Sequence, residues 1–177
     1  MNKAKLATVW LDGCSGCHMS ILDMDERLIE LVDHADLVYS PLVDTKEYPE
    51  NVDVVLVEGA VSTEDDLEKI RTVRRRTRIL VSLGDCAVTA NVPSLRNRFP
   101  VEAVEHRAYL ENAEFNQQVP RDIVPRLLPT SRPVHESVKV DVFVPGCPPS
   151  ADTIHFVLTE LLAGRIPDLT DKTRFGA

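Results

Sequence analysis

Residues 52–86 read VDVVLVEGAVSTEDDLEKIRTVRRRTRILVSLGDC. Two apolar runs, 52–57 and 78–83, enclose a polar stretch. Each run is short, made largely of Val, Leu and Ile, and followed by a glycine (Gly59, Gly84). That is the pattern of a strand buried on both faces. Ser62 or Thr63 can cap a helix over roughly 63–76. Glu64, Asp65, Asp66 and Glu68 open this helix; Arg71, Arg74, Arg75 and Arg76 close it, with Arg78 just beyond. Acids first and bases last complement a helix macrodipole, so the basic cluster reads as a solvated helix face. A strand, a helix and a second strand in this order make a parallel crossover.

The pattern extends in both directions. Residues 6–11 form another short apolar run, broken by Asp12 and Gly13. Residues 18–33 have helical spacing, with Ile21, Leu22, Met24, Leu28, Ile29 and Val32 on one face. A short strand is expected at 37–39 and another at 139–144, followed by Pro145-Gly146-Cys147-Pro148-Pro149 and a helix from about Ser150 to Leu162. Residues 91–137 hold six of the twelve prolines and read as an excursion with short helices between βα units. The expected fold is α/β: a flavodoxin-like, open, mostly parallel sheet with helices on both faces, as one domain over 1–177.

Bulk properties limit the function. Hydrophobic residues make up 44% and charged residues 27%, an ordinary globular composition. A net charge of −8 argues against nucleic acid or an anionic membrane as the main partner. No apolar run is long enough to cross a bilayer, so no membrane insertion is expected. Met1-Asn2-Lys3 leads directly into strand-like sequence without an export leader, and the expected compartment is cytoplasmic. There is no Gly-x-Gly-x-x-Gly, so nucleotide binding is not expected in this chain.

The chemistry lies in four cysteines, Cys14, Cys17, Cys86 and Cys147. Such a chain is a poor candidate for a disulfide framework in a reducing compartment. Cys14 and Cys17 follow the first strand, Cys86 follows the strand at 78–83, and Cys147 follows the last strand. In an open parallel sheet all these points lie on the carboxyl edge, where such folds bind ligands. Gly13, Gly16, Gly84 and Gly146 lie next to or within two residues of the cysteines and let backbone amides approach the sulfurs. Prolines 145, 148 and 149 stiffen the last loop. A [4Fe–4S] cluster needs such a set of four thiolates. Zinc on four thiolates also fits the residue types, although its ligands usually come as two local pairs. A thioredoxin-like dithiol at Cys14 and Cys17 would leave Cys86 and Cys147 without a role.

The set Gly13-Cys14-Ser15-Gly16-Cys17, Val57-Glu58-Gly59, Gly84-Asp85-Cys86 and Pro145-Gly146-Cys147-Pro148-Pro149 resembles the small subunit of [NiFe]-hydrogenases. The cluster subunit of respiratory complex I shares most of it, but with adjacent cysteines in the first motif. The spaced pair here is the hydrogenase form. Residues 11–20 resemble most the soluble, NAD-reducing branch, and no cysteine follows Cys147 to bind further clusters. The resemblance implies an electron-transfer subunit of a hydrogenase complex. All four cysteines would bind one [4Fe–4S] cluster proximal to the Ni–Fe site of a large partner subunit. Electrons would pass on to iron–sulfur and flavin subunits of a diaphorase module. Another hydrogenase or a complex I-like assembly is the alternative within this class.

Glu58 matches the family's Glu-Gly. It reads either as a loop carboxylate satisfied by backbone amides or as a group behind the cysteines that tunes the cluster or assists proton movement. His18 could donate a hydrogen bond to a sulfur but reads first as a polar residue of a first helical turn, and Trp10 reads as core or subunit contact. FMN at the same edge is compatible with the fold by analogy alone and is not predicted.

Overall fold

The computed structural model describes residues 3–173; the ends of the expected 1–177 domain, residues 1–2 and 174–177, lie outside the described residues. The strands are β1 (Ala4–Trp10), β2 (Ala35–Tyr39), β3 (Val52–Glu58), β4 (Val61–Thr63), β5 (Thr77–Leu83), β6 (Leu127–Arg132) and β7 (Val142–Val144). The α-helices are α1 (Gly16–Leu22), α2 (Arg27–His34), α3 (Glu64–Arg76), α4 (Asp85–Thr89), α5 (Val101–His106) and α6 (Ala151–Leu162). Among the described residues, a five-stranded sheet has the order β2-β1-β3-β5-β7, with every pairing parallel. Numbered within that sheet alone, this is the flavodoxin-like order, in which the chain reverses direction across the sheet between β1 and β3.

Alternation along β3 shows why its sequence is apolar throughout. Val54 and Leu56 pack with Leu6, Val81, Leu83, Met24, Ile154 and Leu158 on the face covered by α1, α2 and α6. Val55 and Val57 pack on the other face with Ala7, Val9, Leu80 and, from α3, Ile70 and Val73. Successive side chains of a strand point to opposite faces, so a sheet covered on both sides needs apolar residues at every position. The cap of α3 is reciprocal. Thr63 Oγ1 accepts from the Asp66 amide at 3.0 Å, and the Asp66 carboxylate accepts from the Thr63 amide at 3.0 Å.

Three features differ from the sequence reading. The helix expected over 18–33 is two helices, α1 and α2, separated by a turn in which Asp25 has φ 49°. Met24 fills the core at that turn. Leu31 then faces inward, while Ile29 is 71% exposed and Val32 is exposed too. The strand expected over 139–144 pairs only from Val142. Just before it, the Asp141 amide donates to the Leu80 carbonyl at 2.9 Å, while the Leu80 amide donates to the Asp141 carboxylate at 2.9 Å, so a side chain supplies one of the two bonds at this step. Within 91–137 the chain forms a 3₁₀ helix (Pro93–Arg98), α5, a π turn (Arg107–Glu111) and strand β6. β6 pairs antiparallel with β4, outside the main sheet, and the sequence reading contained neither strand.

Candidate metal centre

All four cysteines stand at the carboxyl edge of the sheet as free thiols. Cys17 is buried in α1, Cys86 is half-buried in α4, and Cys14 and Cys147 are exposed. The first loop leaves β1 and is held against the end of β3. Asp12 and Ala60 exchange backbone hydrogen bonds at 3.0 and 2.7 Å. Gly59 makes this approach feasible: at φ +92°, a Cβ there would lie 2.8 Å from the Leu11 carbonyl carbon. The third and fourth loops are also joined. The Asp85 amide donates to the Gly146 carbonyl at 2.9 Å, and the Gly146 amide donates to the Asp85 carboxylate at 2.7 Å. The Ser20 hydroxyl of α1 donates to the Pro149 carbonyl at 2.5 Å, which links the first helix to the last loop. The Cys147–Pro148 peptide is cis.

The thiols share one electrostatic neighbourhood. Burial pushes the Cys17 thiol well above its ordinary range, and Glu58 and the other three cysteines add to the shift. Burial also raises Cys86, against the Val92 backbone amide that donates to it. Further N–H groups face the sulfurs: the Gly16 amide reaches Cys14 Sγ at 3.4 Å and the Asn91 side-chain amide reaches Cys147 Sγ at 3.8 Å.

A four-thiolate group fits this arrangement. Gly84 has φ +82°, and a Cβ there would sit 2.2 Å from Cys17 Sγ, so the third loop presses backbone directly against the sulfur of the first. Amides so close to thiolates stabilise negative charge, which is what an iron–sulfur cluster brings to its pocket. Among the described residues, no group of three or more His, Cys, Asp or Glu side chains is arranged to hold a single metal ion.

Glu58 is 2% exposed at the end of β3. Its Oε2 accepts from the His18 backbone amide at 2.9 Å and meets His18 Nδ1 in a short contact. His18 Nε2 then faces Thr8 Oγ1 at 3.0 Å, and the Thr8 hydroxyl donates to Ser40 Oγ at 2.8 Å. His18 is therefore a buried link between the cysteine loop and the sheet interior, where the sequence reading had an ordinary polar residue of a first turn. Its neighbour Cys17 and the Val57-Glu58-Gly59 motif were both legible; their meeting required the β1–β3 pairing. Asp85 was quoted within a motif without a role, and Asn91 carried no signal because only the turn after α4 brings it to Cys147. Trp10 is 45% exposed at the end of β1.

No helix among the described residues is long and apolar enough to cross a membrane. The family described as NADH ubiquinone oxidoreductase, 20 Kd subunit, matches residues 14–161. The NAD-reducing hydrogenase HoxS subunit delta of Cupriavidus necator is 42% identical over 172 residues, covering 94% of this chain and 82% of that one. An F420-non-reducing hydrogenase subunit of Methanothermobacter marburgensis is 39% identical over 92% of this chain, which spans 54% of that relative's length. A chain in the crystal structure of an NAD+-reducing [NiFe]-hydrogenase in the H2-reduced state superposes with a TM-score of 0.94 at 39% identity, covering 98% of this chain and 99% of that one. With residues 14–161 matched, all four cysteines among them, this chain belongs to the NADH ubiquinone oxidoreductase 20 Kd subunit family.

Proposed function

We propose that the chain is the electron-transfer small subunit of a cytoplasmic NAD-reducing [NiFe]-hydrogenase, and that Cys14, Cys17, Cys86 and Cys147 hold one [4Fe–4S] cluster, the one proximal to the Ni–Fe site. The observation that carries this reading is the meeting of four free thiols at one sheet edge, on loops fastened to one another by Asp85–Gly146 and Ser20–Pro149. When bound, the cluster supplies one-electron transfer. This chain's residues fix its place: the cysteines ligate, Gly84 lets the third loop close on the first, and the amides of Gly16 and Val92 face the sulfurs. Glu58 and His18 anchor the start of α1, and Glu58 is close enough to Cys17 and Cys86 to bias their charge. Proposed partners are a Ni–Fe large subunit, which splits H₂, and iron–sulfur and flavin subunits of a diaphorase module, which reduce NAD⁺. No flavin is proposed in this chain. The division of labour matches the cysteine supply, since the cluster uses all four and leaves none for a Ni–Fe site.

The test is anaerobic expression followed by metal and sulfide analysis. About four irons and four sulfides per chain, with an EPR signal on reduction, support the reading. One zinc with no sulfide would replace it by a zinc-stabilised structural module. A second reading changes only the acceptor. It draws on the 39% identity to the Methanothermobacter subunit, which belongs to a hydrogenase named for not reducing F420. H₂-dependent reduction of NAD⁺ by the purified native complex, compared with reduction of a viologen dye, separates the two: dye reduction without NAD⁺ reduction points to the other acceptor.

A further inference from the structure

The turn that follows α4 is built at some cost. Ala90 has φ +61°, in the left-handed region that residues with a Cβ seldom adopt. This turn swings the chain back over the cysteine edge, and two donors result. The Val92 backbone amide faces the Cys86 sulfur, and the Asn91 side-chain amide faces Cys147 Sγ at 3.8 Å. The segment beyond is braced. The Ser94 amide donates to the Ala90 carbonyl at 2.9 Å and the Ser94 hydroxyl to the Asn91 carbonyl at 2.7 Å. Arg96 donates to the carbonyls of Ser62 and Leu128 at 3.1 and 3.0 Å, and Asn97 exchanges hydrogen bonds with Ser131 at 2.9 and 2.8 Å. The excursion is thereby fastened to the β4–β6 pair, and the two donors have a fixed mount.

We propose that Asn91, with the Val92 amide beside it, sets the reduction potential of the cluster by directing N–H···S hydrogen bonds at Cys147 and Cys86; this rests on the reading that the four thiols hold an iron–sulfur cluster. Reduction adds negative charge that spreads onto the thiolate sulfurs. A donor aimed at a sulfur stabilises the reduced form more than the oxidised one, so it raises the potential. Cys147, like Cys14, is exposed, and the Asn91 side-chain amide is the donor at its sulfur.

The experiment uses the full chain with its cluster assembled anaerobically. The EPR signal of the reduced state is titrated against applied potential for the natural chain, Asn91→Leu and Asn91→Asp. Leu removes the donor at similar size; Asp keeps the shape and adds negative charge. At the potential where the natural chain is half reduced, Asn91→Leu lowers the reduced-to-oxidised ratio about threefold, equivalent to about 30 mV at about 59 mV per tenfold for one electron. Asn91→Asp lowers it further. Iron, sulfide and melting temperature stay at natural levels in a variant whose only loss is the donor. An unchanged potential in Asn91→Leu with its cluster intact overturns the proposal, as do equal shifts in the two variants, which would mark a packing effect. If Asn91→Leu loses iron, Asn91→Asp decides alone: a lowered potential supports the proposal and an unchanged one overturns it. A natural chain that assembles no iron and sulfide overturns the cluster reading itself.

Discussion

At Gly84 the backbone and a sulfur compete for the same space. A methyl group there would stand 2.2 Å from Cys17 Sγ, on a backbone with φ +82°. Gly84→Ala is therefore expected to lose most of its bound iron and sulfide, measured after anaerobic purification, while the distant pair of Thr63 and α3 stays intact by hydrogen exchange. Glu58 offers a finer change. Glu58→Gln keeps the hydrogen-bonded shape and removes a charge that bears on Cys17 and Cys86. Its expected effect is a raised cluster potential with unchanged iron content, read by EPR titration; an unchanged potential and turnover would leave Glu58 as an anchor for His18 alone. Asp141, far from the cysteines, carries an acid-side dependence. Partial burial pushes its carboxyl up, but the Leu80 amide and the Arg74 guanidinium, at 2.9 and 2.5 Å, outweigh burial and hold it below the ordinary carboxylate range. A lowered folded-state value gives stability that is complete above the unfolded value, about 3.9, and is lost as pH falls through the folded one. Urea unfolding should thus show Asp141→Asn destabilised near neutrality, with the gap to the natural chain narrowing below about pH 4.

The elements divide by where their stability comes from. Helix α3 depends on its own sequence as well as on packing: a reciprocal cap at Thr63 and Asp66, acids in its first turn, bases in its last, and Ile70 and Val73 buried against the sheet. Thr63→Ala is expected to cost about 1 kcal/mol and Ile70→Ala about 2–5 kcal/mol in denaturant unfolding. These local signals are why β3, α3 and β5 were legible in the sequence. Helices α1 and α2 were legible as helix but not as two, because the break rests on Asp25 adopting positive φ while Met24 is held in the core, and no glycine or proline marks it. Strands β4 and β6 were not legible. Their partners lie far apart in the chain, Val61 opposite Arg132 and Thr63 opposite Leu127, and Pro129 within β6 disguises it. The cysteine loops were legible because each follows a strong strand; the Asp85–Gly146 and Glu58–His18 links between them were not, since they exist only once strands distant in sequence lie side by side.

For the molecule as a whole, the parallel sheet separates a scaffold from a working edge. The scaffold is the pair of cores on the two faces, which among residues 13–17, 84–92 and 145–149 take in Cys17 and Ala87. Removal of the cluster by a chelator should therefore loosen the carboxyl edge and spare the cores. Hydrogen exchange should speed up at residues 13–17, 84–92 and 145–149, while β3 and the centre of α3 stay protected. Uniform loosening of the sheet would show instead that the cluster holds the fold together.

The order of the sheet also sets a timetable. β7, which leads to Cys147, is an edge strand that among the described residues pairs with β5 alone, and its loop closes on Asp85. A ribosome makes β1, β3 and β5 long before it makes β7. The growing chain can thus lay down its central strands with three thiols already in place, and the fourth arrives by adding a strand to an open edge, without rearranging what has formed. On the proposed cluster reading, iron and sulfide delivered before residue 147 emerges would meet three of the cysteines, and delivered afterwards all four.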